Sequence, residues 1–252
     1  MTHPGDTHEP QPKGPEVIPN PTGETIALRF DVLPLLEAAV GPDWREKITD
    51  VIEAGELKLR KPDGHYTNRE EGSTAKLGLV TADGQEFADA VPGVWELYQT
   101  DFMAMMQQAL PEDAEPLVAY DDPEKALEPY AQQPVETAGA DDVQHRMEAH
   151  VDMRYTAVLV IDAPEDENDG GRLVIGSDPD AHSVAEIDKD ATRIPHIPAT
   201  LLCFTEGRKY PHYTEEVTNP DAKRVVISLN YPLEGEDPAA ADEILQHIGG
   251  TQ

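Results

Sequence analysis

Met147-Glu-Ala-His-Val-Asp152, continued by Met153-Arg-Tyr-Thr-Ala-Val-Leu-Val-Ile161, is the stretch on which the reading of this chain turns. Its apolar second half reads as extended backbone. In a strand, residues i and i+2 point to the same face. His150 and Asp152 then bring an imidazole and a carboxylate to one point. A second histidine from elsewhere would complete a three-ligand metal site.

The chain offers nine histidines. Those near this stretch are His145, His150, His182, His196 and His212. His145 is off phase with His150, His182 sits in an Asp/Pro-rich loop, and His196 lies between Pro195 and Pro198. His212 follows the apolar run Leu201-Leu-Cys-Phe204 and precedes Val225–Leu229, so it falls between two core strands. Two histidines and one carboxylate leave open positions on the ion, which suits Fe(II) that must also bind a co-substrate and dioxygen. A structural zinc site would close all four positions. Arg224 stands 12 residues after His212. Strand alternation would place Arg224, Val226, Ser228 and Asn230 on one face, where the guanidinium can grip a carboxylate and Ser228 and Asn230 add neutral hydrogen-bonding groups.

Around this centre the chain divides by character. Residues 1–24 are rich in Pro and Gly and poor in large apolar side chains, which predicts a disordered arm. Residues 25–142 read as helix-rich. Ile26–Phe30 suggests a short strand, and helices are expected over Leu33–Gly41, Asp43–Glu53 and after Asp83-Gly84, where Val91, Val94, Trp95, Tyr98, Phe102, Met105 and Met106 form a stripe. Leu57-Lys-Leu59 and Lys76–Val80 suggest strands around a polar loop, and Pro111–Pro134 reads as a connector with one helical turn. Residues 143–232 alternate short apolar runs with turns, as in a barrel or jelly roll, with runs at Tyr155–Ile161, Leu173–Ile175, Ile187, Thr200–Phe204 and Val225–Leu229. A helix is expected over 238–248. The expectation is one α+β domain over 25–252, a jelly-roll core with the helical N-terminal half packed on it.

Composition narrows the partners. A formal charge of −31, from 19 basic and 50 acidic residues, repels phosphate backbones and anionic membranes. The charge reads first as solubility or adaptation to salt. One cysteine, Cys203, excludes an internal disulfide framework. No apolar stretch reaches the roughly 20 residues of a bilayer span, and the N-terminus lacks the pattern of a signal peptide. A cytoplasmic protein acting on a small molecule is the expectation.

The order His150-x-Asp152, then Gly170-Gly171-x-Leu173, then His212, then Arg224 resembles the Fe(II)- and 2-oxoglutarate-dependent oxygenases, whose fold is a double-stranded β-helix. The resemblance covers roughly residues 143 to 232. It implies that His150, Asp152 and His212 bind Fe(II) and that Arg224 binds the distal carboxylate of 2-oxoglutarate; Ser228, on the same strand face as Arg224, is a second candidate cofactor-binding residue. Pro198-Ala-Thr-Leu-Leu-Cys-Phe204 resembles the strand before the distal histidine, with Ala199 where the family often has glycine. Size and layout look most like bacterial enzymes of secondary metabolism that act on free amino acids or related metabolites. A halogenase branch of that group replaces the iron-binding carboxylate by a small residue. Asp152 is present here, which implies hydroxylation.

The resemblance further implies that O2 and 2-oxoglutarate are consumed, succinate and carbon dioxide are released, and an unactivated C–H bond is hydroxylated; desaturation or cyclisation would begin the same way. Candidate substrate contacts are Arg154, two residues beyond Asp152, Asn230 and Arg69, with Tyr66 and Trp95 as possible caps. Two other readings compete. One is a cupin-like metalloenzyme without 2-oxoglutarate, the other a binding module that kept the fold but not the metal.

Overall fold

The computed structural model describes residues 14–60, 66–68, 77–134, 150–152, 155–181, 183–205, 209–219, 221–235 and 246–247. Two antiparallel sheets face each other, with helices on the outer face of the larger one. The strands are β1 (Glu16–Pro19), β2 (Thr25–Asp31), β3 (Glu56–Arg60), β4 (Tyr66–Asn68), β5 (Leu77–Thr81), β6 (Leu127–Pro134), β7 (His150–Val151), β8 (Tyr155–Asp162), β9 (Leu173–Ile175), β10 (Thr192–Ile194), β11 (Thr200–Phe204), β12 (His212–Thr214), β13 (Arg224–Tyr231) and β14 (Gln246–His247). Among the described residues the large sheet has nine strands in the order β1-β2-β11-β8-β13-β6-β5-β3-β4, and the small one five, β10-β9-β12-β7-β14. From β7 to β13 the chain passes back and forth between the sheets. This is the double-stranded β-helix that the sequence led us to expect.

The large sheet is buried on both faces, which explains why its central strands read as unbroken apolar runs. Along β8, Ala157, Leu159 and Ile161 pack outward against the helical layer, in one cluster with Phe87, Val94, Phe102 and Met106. Val158 and Val160 point inward and pack with Leu173, Ile175 and Ile194 of the small sheet. β13 alternates in the same way: Val225, Ile227, Leu229 and Tyr231 face the helices, and Val226 faces inward. Arg224, Ser228 and Asn230 therefore share the inward face, as strand alternation requires.

The helical layer comprises α1 (Leu33–Ala39), α2 (Trp44–Glu53), α3 (Gly84–Ala90), α4 (Pro92–Leu97), α5 (Met103–Ala109) and the single turn α6 (Pro123–Ala126). Trp44, Ile48 and Ile52 of α2 recur at helical spacing and are buried. The Asp83 side chain accepts hydrogen bonds from the backbone N–H groups of Gln85 and Glu86, at 2.9 and 3.1 Å, and so starts α3. The helix expected after Asp83 is broken in two at Val91, and the stripe from Val94 to Met106 lies on the second part. Val91 leaves the helical region (φ −130°, ψ 63°) and Pro92 opens α4, the position where its missing N–H costs nothing. A π-helical turn, Tyr98–Phe102, joins α4 to α5.

Several expectations are corrected. The arm expected to reach residue 24 contains β1, which pairs with β2. Asn20 makes this possible, because its side-chain oxygen accepts from the N–H groups of Thr22 (3.0 Å) and Glu24 (2.9 Å) and closes the hairpin. The half expected to be helix-rich supplies β2 to β6 of the large sheet. The connector ends in β6, an eight-residue strand between β13 and β5. Proline is rare in such a place. Pro129 is tolerated because β5 has run out beside it: β5 ends opposite Tyr130, and only the N–H of Ala82 reaches the Pro129 carbonyl.

The opening stretch is two strands in different sheets, since β7 ends before Asp152 and β8 begins at Tyr155. Ile187 lies in a one-turn helix, α7 (Val184–Ile187), capped by the Ser183 hydroxyl, and not in a strand. Of the helix expected over 238–248, Gln246–His247 is instead a strand paired with β7; residues 236–245 and 248 lie outside the described residues. No helix among the described residues is long and apolar enough to cross a membrane.

Candidate functional site

His150 and His212 meet because β7 and β12 are neighbours and place the two residues directly opposite each other. Their rings lie 4.4 Å apart. Asp152 closes the triangle: its Oδ1 lies 3.7 Å from His150 Nε2 and 3.5 Å from His212 Nε2. One ligand atom from each of the three residues lies within 4.8 Å of the others. His212 Nδ1 stands 3.1 Å from the Tyr210 carbonyl, which fixes that nitrogen as the N–H and turns a bare Nε2 toward Asp152. The second carboxylate oxygen of Asp152, Oδ2, is buried without a hydrogen-bond partner.

Burial alone would raise the Asp152 pKa. The neighbouring His212, then His150 and the Thr156 hydroxyl, outweigh it and hold the carboxyl below its usual range. Burial alone would likewise lower His212, but Asp152 reverses the effect and lifts the imidazole above its ordinary 6.5. Two imidazoles around an ionised, half-unpaired carboxylate form a donor set for a divalent transition metal with open positions. A carboxylate with one oxygen facing two imidazole nitrogens and the other buried without a partner fits such an ion.

Arg224 forms a second cluster, at the start of the inner face of β13. It heads the largest fully buried side chains, at 1% exposure. Its Nη1 donates to the Tyr130 hydroxyl (3.2 Å) and weakly to Gln132 Oε1 (3.5 Å). Its Nε lies 3.0 Å from His196 Nδ1. Among the described residues no carboxylate pairs with it. The same His196 nitrogen lies 2.7 Å from the Gly171 carbonyl. Burial, and then the charge of Arg224, push the His196 pKa well below 6.5, so the ring is neutral. A neutral ring carries one proton, and Nδ1 can satisfy Gly171 or Arg224 but not both. His196 Nε2 and Gln132 Nε2 are buried without partners. A buried guanidinium beside an unpaired amide donor and without a counter-ion fits an anion, and its planar fork suits a carboxylate.

The Gly170-Gly171 pair holds this end together. Gly170 has φ +81°, and a Cβ there would meet the Glu216 carbonyl at 1.7 Å, so only glycine allows the close pass that delivers Gly171 to His196. Ala199 occupies the position noted for glycine. Its φ is +59°, in the left-handed region that favours that residue.

No family model matches the chain, and no curated protein matches it. Among solved structures it is similar to a prolyl hydroxylase from Trichoplax adhaerens in complex with a hypoxia inducible factor oxygen degradation domain peptide fragment, with 14% identity over 82% of this chain and 84% of that one and a TM-score of 0.51. The two chains share a fold. It is also similar to the non-heme alpha ketoglutarate dependent epimerase SnoN from nogalamycin biosynthesis (14% identity, 89% and 87% of the two chains, TM-score 0.48). A further likeness is to HygX from Streptomyces hygroscopicus, solved with nickel and 2-oxoglutarate (11% identity, 83% of each chain, TM-score 0.48).

On that fold, His150, Asp152 and His212 come together as the spacing implied. Arg224 lies on the inner face, and His196, set aside as a metal ligand, is its neighbour instead. Ser228 is half-buried on the same face. Asn230 also faces inward, but its amide is engaged at both ends: Oδ1 accepts from Thr156 (3.3 Å) and Nδ2 donates to Glu128 (3.1 Å). Trp95 does not cap the site. It stacks on Tyr98 at 5.1 Å in the helical layer, across the large sheet. Tyr66 belongs to β4, and Arg69 and Arg154 lie outside the described residues. Tyr130 and Gln132 were missed. The signal for them was the polar alternation Glu128-x-Tyr130-x-Gln132, which has strand period but is obscured by Pro129 and Pro134.

Proposed function

We propose that this protein is an Fe(II)- and 2-oxoglutarate-dependent oxygenase that hydroxylates a C–H bond of a small molecule. One observation carries the reading. A triad that favours a cation, carried by the small sheet, and an arginine that favours a carboxylate, carried by the large one, both line the space between the sheets. When bound, the metal and 2-oxoglutarate supply the oxidising chemistry. The chain supplies ligation and aim. His150, Asp152 and His212 hold the metal, with Asp152 kept ionised by its histidines. Arg224 receives the far carboxylate of 2-oxoglutarate, its guanidinium steadied by Tyr130 and by neutral His196.

Hydroxylation is favoured because a carboxylate, Asp152, fills the third ligand position. A free amino acid or a derivative is the proposed substrate class, on the resemblance of size and layout. The cytoplasm, which provides Fe(II) and 2-oxoglutarate, is the proposed setting.

The test is succinate formation from 2-oxoglutarate, dependent on both Fe(II) and O2, with free amino acids screened by mass for one added oxygen. Succinate release stimulated by one such substrate is the expected result. Metal-dependent oxidation of a substrate without succinate would replace this reading by a metalloenzyme that does not use 2-oxoglutarate.

A further inference from the structure

Gln132 sits on β6 directly opposite Arg224 on β13 and is fully buried, at 0% exposure. The guanidinium dictates which way its amide turns. Oε1 faces Arg224 Nη1 at 3.5 Å; the flipped amide would set two donors against each other. The amide nitrogen is left buried with no acceptor. A buried donor without a partner is costly, and native interiors seldom keep one without a use. Here the unpaired N–H lies beside a buried cation that itself has no carboxylate partner. A neutral ligand would satisfy the amide but not the guanidinium. A carboxylate accepts from both.

We infer that Gln132 is a second binding residue for the far carboxylate of the co-substrate, donating through Nε2 to the group that Arg224 pairs with, and that it helps select a dicarboxylic 2-oxo acid over a monocarboxylic one. This rests on the reading of the site as a 2-oxoglutarate centre. It goes beyond that reading in assigning selectivity to a residue of β6, a strand outside the stretch that carries the family resemblance. Tyr130, two residues earlier on the same face, already accepts from Nη1, so the guanidinium is held while Gln132 keeps a donor to spare.

The experiment is anaerobic calorimetry of 2-oxoglutarate binding to the Fe(II)-loaded protein, with 2-oxopentanoate, which lacks the far carboxylate, as the second ligand. Fe(II) affinity is measured separately as a check on folding. Gln132→Met keeps the shape and removes the donor. Its Kd for 2-oxoglutarate should rise about 10- to 100-fold, the range for one hydrogen bond to a charged group. Its Kd for 2-oxopentanoate and its Fe(II) affinity should stay within about twofold of wild type. Gln132→Glu places a carboxylate on Arg224 from within the chain. It should abolish 2-oxoglutarate binding and raise the melting temperature of the co-substrate-free protein.

An unchanged 2-oxoglutarate Kd in Gln132→Met, an equal loss for both ligands, or a Gln132→Glu protein that binds 2-oxoglutarate normally would overturn the role of Gln132 and leave the broader reading standing. Failure of the wild-type protein to bind 2-oxoglutarate would overturn both.

Discussion

The two ends of the inner face are unbalanced in opposite senses. At the metal end a buried carboxylate faces two imidazoles and is net negative whenever both rings are neutral. At the arginine end a buried guanidinium faces a neutral imidazole, a phenol and an amide, and is net positive. Burying an uncompensated charge costs several kcal/mol. A chain that keeps two, of opposite sign and not paired with each other, is shaped to receive two ligands of opposite sign. The difference also separates what each end does for the fold. The metal end partly stabilises itself, because Asp152 and the histidines attract one another. The arginine end has no such internal compensation and should weaken the ligand-free protein.

Substitutions at the two ends should therefore behave differently. The largest effect is expected at the metal end. His212→Ala or Asp152→Ala should reduce Fe(II) binding, followed by anaerobic calorimetry, to background and abolish succinate formation. Retention of full Fe(II) affinity in either variant would move the metal elsewhere.

Arg224→Met should do the reverse for stability. Replacing a buried cation that lacks a counter-ion by an apolar side chain of similar length removes its desolvation cost but loses its hydrogen bonds to Tyr130, Gln132 and His196, for a net gain of about 1 kcal/mol. Denaturant unfolding of the ligand-free variant should show that gain, together with retained Fe(II) binding and lost 2-oxoglutarate binding. Marked destabilisation would mean that the hydrogen bonds of Arg224 outweigh its uncompensated charge and that the contrast between the ends is false.

A smaller effect is expected from pH. Metal binding needs a neutral His212, and its pKa is raised above 6.5 by Asp152. Protons then compete at a higher pH than they would at an ordinary histidine. Fe(II) affinity should be full above the raised pKa and decline as pH falls through it. The smallest change lies outside both clusters. Ala199→Gly relieves a left-handed backbone (φ +59°) and, after the added chain entropy of glycine, should stabilise the fold by ~1 kcal/mol. Neither ligand affinity should move.

How much of this was legible follows from how far apart in the chain the partners are. His150 and Asp152 are two residues apart, so they stay close even though β7 ends at Val151, before Asp152. The inner face of β13 was readable from strand period alone. His212 needed only the order of apolar runs. The arginine end required register between strands remote in sequence: Gln132 meets Arg224 only because β6 pairs with β13, and no local pattern encodes that pairing. Pro129 and Pro134 hid β6 by resembling a connector, since proline is ordinarily excluded from central strands. His196 was set aside because its flanking prolines marked a loop, which they do. What the prolines could not reveal was that the loop crosses beside Gly171 and Arg224. The hairpin of β1 and β2 was missed because its edge strand is short, mostly exposed and ends in proline, and depends on the Asn20 turn. Trp95 fell on the wrong side because a helical stripe shows that a face is buried but not which sheet face it covers.

On this reading one end takes a metal and the other a carboxylate, and a single molecule bridges them. Adding 2-oxoglutarate to the anaerobic Fe(II) protein and recording the visible spectrum tests it most directly. A weak charge-transfer band that saturates with 2-oxoglutarate, and that Arg224→Met shifts to far higher concentrations, is the expected result. Iron that binds tightly while no band appears at any 2-oxoglutarate concentration would contradict it.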